Sequence, residues 1–265
     1  MKILVIPDIH ARNFWRKAIN NNINQVDKII FLGDYLDLYY NEIEENPELM
    51  ECDDFYQAKE LLEMLDNIVS LKKNEPDKYI LLTGNHSDSY IWSKFHSASR
   101  TDYRNWEKYH KFFSQNLKYF NLVWIENDTI FSHAGISKGW ARAFAIELSL
   151  TIDLNNPVKS VAKYLSNVNL DNILDKKLIE LLGDISYYRG GDSYYGSCEW
   201  ADLREHIDIK NSTSKNLIPL GEDKIYQVFG HTQLKTPLIT DKWACLDCRQ
   251  GFIFDTETHD CNSCL

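Results

Sequence analysis

The sequence predicts an α/β protein, and three observations carry that prediction. Five short apolar runs read as buried strands. Segments between them have apolar residues three and four apart, the spacing of a helix that buries one face. Each apolar run is followed at once by residues of metal-ligating type. The 265 residues suit one large α/β domain, or one domain with an inserted subdomain. A hydrophobic fraction of 44% supplies a sizeable core and argues against disorder.

Taken in order, the strands are residues 3–6, 28–32, 79–82, 129–131 and 225–229. The islands that follow them are Asp8-Ile9-His10, Gly33-Asp34-Tyr35-Leu36-Asp37, Gly84-Asn85-His86, His133 and Gly230-His231. Residues 13–22 read as a helix, and 41–54 as an acidic loop or short helix. Residues 55–65 form an amphipathic helix facing the sheet. Residues 106–116 form another, with Trp106, Tyr109, Phe112 and Phe113 as one buried stripe. The stretch 138–182 is mainly helical and holds no ligand-type island, which predicts a helical cap or lateral insertion. Residues 187–196 are rich in glycine and tyrosine and read as a loop able to approach a ligand closely. A short element starts at Trp200, and residues 243–255 read as a hairpin turning near 249–251. There is no internal repeat, low-complexity tract or clear linker.

Ligands at several strand ends converge on one rim of a sheet. A shared carboxylate with histidines and an amide oxygen can hold two divalent ions there, the arrangement for phosphoester hydrolysis. Each residue alone has a plainer reading: Asp8 as a helix cap, His133 as a core histidine, Asn85 as a turn residue. Five islands in order, all after apolar strands, outweigh those readings. Carboxylate, imidazole and amide oxygen suit manganese, iron or zinc.

The order and wording of these islands resemble the calcineurin-like metallophosphoesterase superfamily, most closely its phosphoprotein-phosphatase branch and the phage and bacterial relatives. The resemblance runs from Met1 to about Asp247. It implies a four-layer α/β/β/α sandwich with a helical insertion, a single domain over 1–265, and two divalent metal ions, manganese first, with iron, zinc, nickel or magnesium as alternatives. It implies that Asp8, His10 and Asp34 bind the first metal, that Asp34, Asn85, His133 and His231 bind the second, and that Asp34 bridges. Some superfamily members carry another histidine where Gln233 stands, a histidine the protein-phosphatase branch also lacks. The resemblance makes His86 the general acid and Asp37 the carboxylate that orients it. A leaving alkoxide needs such a proton, and a carboxylate partner raises the imidazole pKa and fixes its tautomer. The implied reaction is attack of metal-bound hydroxide on a phosphomonoester, with a phosphoprotein as first substrate. A phosphodiesterase or nucleotide phosphatase is the alternative enzyme; a non-catalytic phosphate-binding scaffold is the alternative outside enzymes.

The sequence departs from the family in places. Leu38 and Tyr39 stand where family protein phosphatases carry arginine and glycine, and Ser87 then Asp88 stand where an acidic residue follows directly. The missing arginine removes a bidentate phosphate contact. Arg189, in the glycine-aromatic loop, is the first candidate to supply one, and Arg204 the second. Cys245-Leu246-Asp247-Cys248 and Cys261-Asn262-Ser263-Cys264 have the spacing of a structural zinc site. A hairpin over 243–255 would carry Cys261 far from Cys248, so a structural zinc is not favoured. The net charge of −10 suits the chain poorly to non-specific nucleic-acid binding, where basic surface dominates affinity. No apolar stretch is long enough to span a membrane, and no signal peptide is visible. The six cysteines then point to a reducing, cytoplasmic setting.

Overall fold

The computed structural model describes residues 1–39, 60–92, 98–172, 175–205 and 225–264. Two sheets face each other, with helices on the outside. The six-stranded sheet has the order β11-β10-β1-β2-β3-β4: β11 (Cys261–Cys264), β10 (Gly251–Asp255), β1 (Lys2–Ile6), β2 (Lys28–Phe31), β3 (Tyr79–Leu82) and β4 (Phe120–Asn121). The five-stranded sheet has the order β5-β6-β7-β9-β8: β5 (Val123–Glu126), β6 (Thr129–Ser132), β7 (Tyr226–Phe229), β9 (Trp243–Cys245) and β8 (Leu238–Ile239).

Strand alternation explains why both faces of the first sheet are apolar. Ile3, Val5, Ile30, Leu32, Ile80 and Leu82 meet Phe131, Val228 and Ala244 between the sheets. Leu4, Ile6, Ile29, Phe31, Tyr79 and Leu81 face the opposite way, into the helix-side core. Strands buried on both faces read as continuous apolar runs, which is how these appear in the sequence.

Helices α1 (Phe14–Asn22), α2 (Leu61–Asn74) and α4 (Trp106–Asn116) cover the outer face of the six-stranded sheet, and α3 (Asn85–Ile91) packs on α4. The Trp106, Tyr109, Phe112 and Phe113 stripe is buried, as its spacing predicts. Helix α2 runs past the expected end at residue 65, because Ile68 and Val69 continue the stripe of Met64 and Leu65. The expected residues 41–54, and the start of the helix expected over 55–65, lie outside the described residues. The stretch 138–182 folds as α5 (Lys138–Glu147), α6 (Pro157–Leu165) and α7 (Lys176–Leu182). Helix α5 packs on α6, and α6 packs on β5, so these helices form the fourth layer. Ser137 caps α5 through Trp140 N, and Asp175 caps α7 through the backbone N–H groups of Lys177 and Leu178.

The expected hairpin over 243–255 is not formed. β9 pairs in parallel with β7 in one sheet, and β10 pairs antiparallel with β1 in the other, so the chain crosses between sheets there. The hairpin is β10–β11, with Gly251 opposite Cys264 and Phe254 opposite Cys261. The tail therefore folds back, and the separation expected along a 243–255 hairpin is not what divides the cysteines. Positions three apart on a strand point to opposite faces. Cys261 and Cys248 pack between the sheets, while Cys264 packs on the helix side. Cys245 lies on the outer face of the five-stranded sheet, its thiol directed at the carbonyls of Gly230 and Thr232. The four thiols face three different layers and do not form one ligand set.

Candidate metal centre and active site

Parallel pairing of β1, β2 and β3, and of β6 and β7, brings their C-terminal ends to one rim. The loops leaving those ends carry unusual backbone. His10, Ala11, Asp34, Asp37 and His231 all have positive φ, between 42° and 65°. Non-glycine residues held there cost of order 1–3 kcal/mol each and cluster at functional sites. Gly230 is needed for a second reason: a Cβ there would collide with Asp8 Oδ1.

The rim gathers two triads of ligand-type groups, His10–Asp34–His86 and Asp34–His133–His231, with Asp34 common to both. His133 Nδ1 lies 2.9 Å from the Leu32 carbonyl, which can only accept, so Nδ1 carries a proton and Nε2 is the nitrogen left to face a metal. That Nε2 lies 2.9 Å from Asn85 Oδ1, 3.1 Å from His231 Nδ1 and 3.3 Å from Asp34 Oδ2. Lone pairs converging at such separations repel unless a positive charge sits among them. Metal–ligand distances of about 2.0–2.2 Å place neighbouring ligand atoms roughly 3 Å apart. The donor set therefore fits a divalent cation. His10 repeats the design: Nδ1 donates to the Leu36 carbonyl at 3.0 Å, leaving Nε2 3.6 Å from Asp34 Oδ2. Backbone carbonyls that fix the far nitrogen are the usual support of metal-binding histidines. Asp8 is placed differently from the triads. Both its oxygens accept from His231 N, at 3.1 and 2.9 Å, which ties the first island to the last.

The electrostatics call for positive charge at this point. Burial lowers the His133 pKa, but the carboxylates of Asp34 and Asp8 override it and push it to about 10, so Nε2 carries a proton that a bound cation would displace. Burial pushes the Asp34 carboxyl up, but His133, His86 and His10 hold it well below the usual range. Burial, with His86 nearby, lowers His10 to about 3, so its ring stays neutral. Burial and the neighbouring Arg189 and His133 likewise lower His231.

Beside the triads, His86 Nδ1 donates to Asp37 Oδ2 at 2.8 Å, and Asp37 Oδ1 accepts from the Tyr90 hydroxyl. Tyr90 lies four residues after His86 on α3, the spacing that puts two side chains on one face. Burial lowers the His86 pKa, yet the carboxylates of Asp34 and Asp37 raise it overall. Replacing Asp37 by asparagine removes part of that support. The alkaline limb of kcat/KM, where the acid loses its proton, is expected to move to lower pH in Asp37→Asn, at unchanged metal content. An unmoved limb in a pH–rate series would show that Asp37 does not tune His86.

His10, Asp34, Asn85, His86 and His231 open into a cavity of about 390 Å³, lined also by Arg12, Tyr39, Arg189, Trp200 and Asp247. Arg189 reaches it from a 3₁₀ turn, Tyr187–Arg189, closed by Gly190 in the left-handed region at φ 84°. Its Nε pairs with Asp202 Oδ2 at 2.7 Å, and its Nη2 donates to the His231 carbonyl at 3.1 Å and Thr232 Oγ1 at 2.9 Å. Arg204 does not line the cavity. It pairs with Asp202 Oδ1 at 2.7 Å and lies over the Tyr188 ring. One aspartate thus holds both arginines. Gln233 lines the cavity too.

Several site residues escaped the sequence reading. Tyr39, at one of the positions departing from the family, packs edge-on against His10 and brings its hydroxyl within 3.4 Å of His86 Nε2. Asp247 follows β9, so the strand-end rule that singled out the five islands would have found it. Arg12 lies two residues after His10 in the same loop. Asp88 and Glu199 form a buried pair beneath α3. Burial and Glu199 push the Asp88 carboxyl well up, Trp92 Nε1 donates to it at 3.0 Å, and the Thr83 hydroxyl donates to Glu199.

A two-sheet sandwich with acceptor groups converging at its strand ends is suited to metal-dependent phosphoester hydrolysis. The calcineurin-like phosphoesterase profile matches residues 1–233, and the chain belongs to that family. It is a hydrolase, a metal-dependent phosphoesterase. Among solved structures, the cold-active protein-tyrosine phosphatase of a psychrophilic Shewanella species is 16% identical, with a TM-score of 0.58 over 99% of this chain and 80% of that one. A protein serine/threonine phosphatase from Saccharomyces cerevisiae is 14% identical, with a TM-score of 0.50 over 100% of this chain and 80% of that one. Both share the fold. No curated protein sequence matches the chain. Among the described residues no helix is long and apolar enough to cross a membrane.

Proposed function

We propose that this phosphoesterase hydrolyses phosphomonoesters, with phosphorylated serine or threonine of a protein as the first substrate class, in a cytoplasmic setting. The observation that carries the reading is the convergence of acceptor groups on His133 Nε2 beside the His86–Asp37 pair. Asp8, His10 and Asp34 would hold one divalent ion, and Asp34, Asn85, His133 and His231 the other, with manganese the first choice. When bound, such ions supply Lewis acidity and lower the pKa of water toward neutrality.

The chain's own groups supply the rest. His86, held protonated by Asp37 and Asp34, gives its proton to the departing oxygen from Nε2, the nitrogen that faces Tyr39 and the cavity. Tyr90 keeps the Asp37 carboxylate in register. Arg189 binds a phosphoryl oxygen, with Asp202 fixing the guanidinium and Arg204 buttressing Asp202. The test is activity toward a phosphopeptide, nitrophenyl phosphate, a bis-phosphodiester dye and nucleotides, each with manganese, nickel, magnesium and zinc. Preference for the diester or for nucleotides overturns the monoester reading.

Arg189→Ala is expected to weaken monoester binding more than diester binding, because a dianion offers a further charged oxygen to the guanidinium fork. Arg189→Lys should restore only part of the loss. Steady-state kinetics on a matched monoester and diester check this, and equal KM values in wild type and variant would remove Arg189 from phosphate binding.

A further inference from the structure

The turn that delivers Arg189 to the metal cavity delivers tyrosines to a second one. Tyr187, Tyr188, Tyr194 and Tyr195, with Asp192 and Glu205, line a separate cleft of about 370 Å³. Tyr187 is 73% exposed, Tyr194 76% and Tyr188 48%. Three of these four tyrosines, all from one ten-residue loop, are exposed while Tyr195 packs against the core, and the proposed hydrolysis uses none of them. Arg189 faces one cavity and its neighbour Tyr188 the other, so the two are one turn apart. Consecutive Cα atoms are about 3.8 Å apart, so a bound peptide crosses such a turn within a few residues.

The chemistry of the cleft selects its occupant. Tyrosine faces attract cations. The ionisable groups lining the cleft besides the tyrosines are the carboxyls of Asp192 and Glu205. Arg204, held by Asp202 and the Tyr188 carbonyl, already lies over the Tyr188 ring, so Tyr187 and Tyr194 are the exposed rings left for a ligand cation. Glu205 is itself buried, accepting from Gly196 N and Asp202 N, so Asp192 at the surface is the free-standing charge. A nucleotide would bring further phosphate toward these carboxyls. A long aliphatic stem ending in a cation fits both the rings and the acid, and the chain's net charge of −10 favours the same partner.

We propose that the tyrosine cleft is a specificity subsite for a basic side chain, arginine or lysine, lying within about three residues of the phosphorylated residue of a peptide substrate. This rests on the phosphomonoesterase reading above. The experiment compares kcat/KM for phosphoserine peptides carrying one arginine, alanine or glutamate at each position from three before to three after the phosphoserine. Wild type, Tyr194→Ala and Asp192→Asn are used, with nitrophenyl phosphate as the substrate that lacks a flanking group. Wild type is expected to prefer arginine over glutamate at one position by about 10-fold, mainly in KM, the scale of a cation–π contact with an exposed ion pair. Both variants should lose most of that preference and hydrolyse nitrophenyl phosphate as wild type does. Absence of any positional preference in wild type, or its persistence in both variants, overturns the subsite while leaving the phosphatase standing. Failure to hydrolyse any monoester with any metal overturns the phosphatase reading instead.

Discussion

Asp34→Asn is expected to abolish turnover and to strip metal from both positions. Replacing an outer partner of a metal ligand typically costs ~10–100-fold in affinity or activity, and a carboxylate shared by two ions must cost more. Asp34 is the one residue common to both triads, and its Oδ2 faces His10 Nε2 on one side and His133 Nε2 on the other. The amide keeps the shape and loses the charge. With it go the attractions that hold His133 and His86 toward their protonated or metal-bound forms. Elemental analysis after dialysis measures the metal directly, apart from activity. A variant that retains two ions per chain, or that turns over normally at limiting metal, would exclude a bridging role.

Losing the His86 side chain should slow hydrolysis by ~10²–10⁴-fold, the usual contribution of a general acid–base group. The loss should shrink for nitrophenol, which leaves without needing a proton, and stay large for an alkyl alcohol. Metal content also matters here, because His86 lies close enough to His10 and Asp34 to be grouped with them. Its Nδ1 is committed to Asp37, which argues for proton transfer rather than coordination. If His86→Ala loses an ion, the residue is a ligand. If all leaving groups slow equally with metal retained, its role is structural.

Much of this was legible in the sequence because the five strands are buried on both faces. Their apolar runs stand out, and the ligand islands begin where those runs stop. Weaker elements were hidden for physical reasons. β4 and β8 have two residues each, and β11, Cys261–Cys264, is polar and partly exposed, so no apolar run marks them. The 243–255 segment looked like a hairpin because local pattern does not say which sheet a strand joins; β9 and β10 join different ones. At the site, the ligand types were readable, but not the grip on them. The backbone carbonyls of Leu32 and Leu36 that set the histidine tautomers carry no side-chain signature. Nor does Asp202, whose value lies in touching two arginines at once.

The pairing of β1 with β10 has a consequence for how the protein is made. Lys2 lies opposite Asp255 in that register, so β1 waits for a strand synthesised long after it. Until β10 arrives, the inward faces of β1 to β3 lack Phe252 and Phe254, which complete the layer between the sheets. Contacts so distant along the chain slow folding and leave apolar surface exposed meanwhile. The six ligand-type residues Asp8, His10, Asp34, Asn85, His133 and His231 are all synthesised before β10, yet their rim is held by a sandwich that closes only afterwards. Metal acquisition is therefore expected to follow the synthesis and docking of β10. A chain truncated after Gln250 should fail to retain metal that the protein with β10 keeps, and tight retention by the truncated chain would show that the rim assembles without its closing strand.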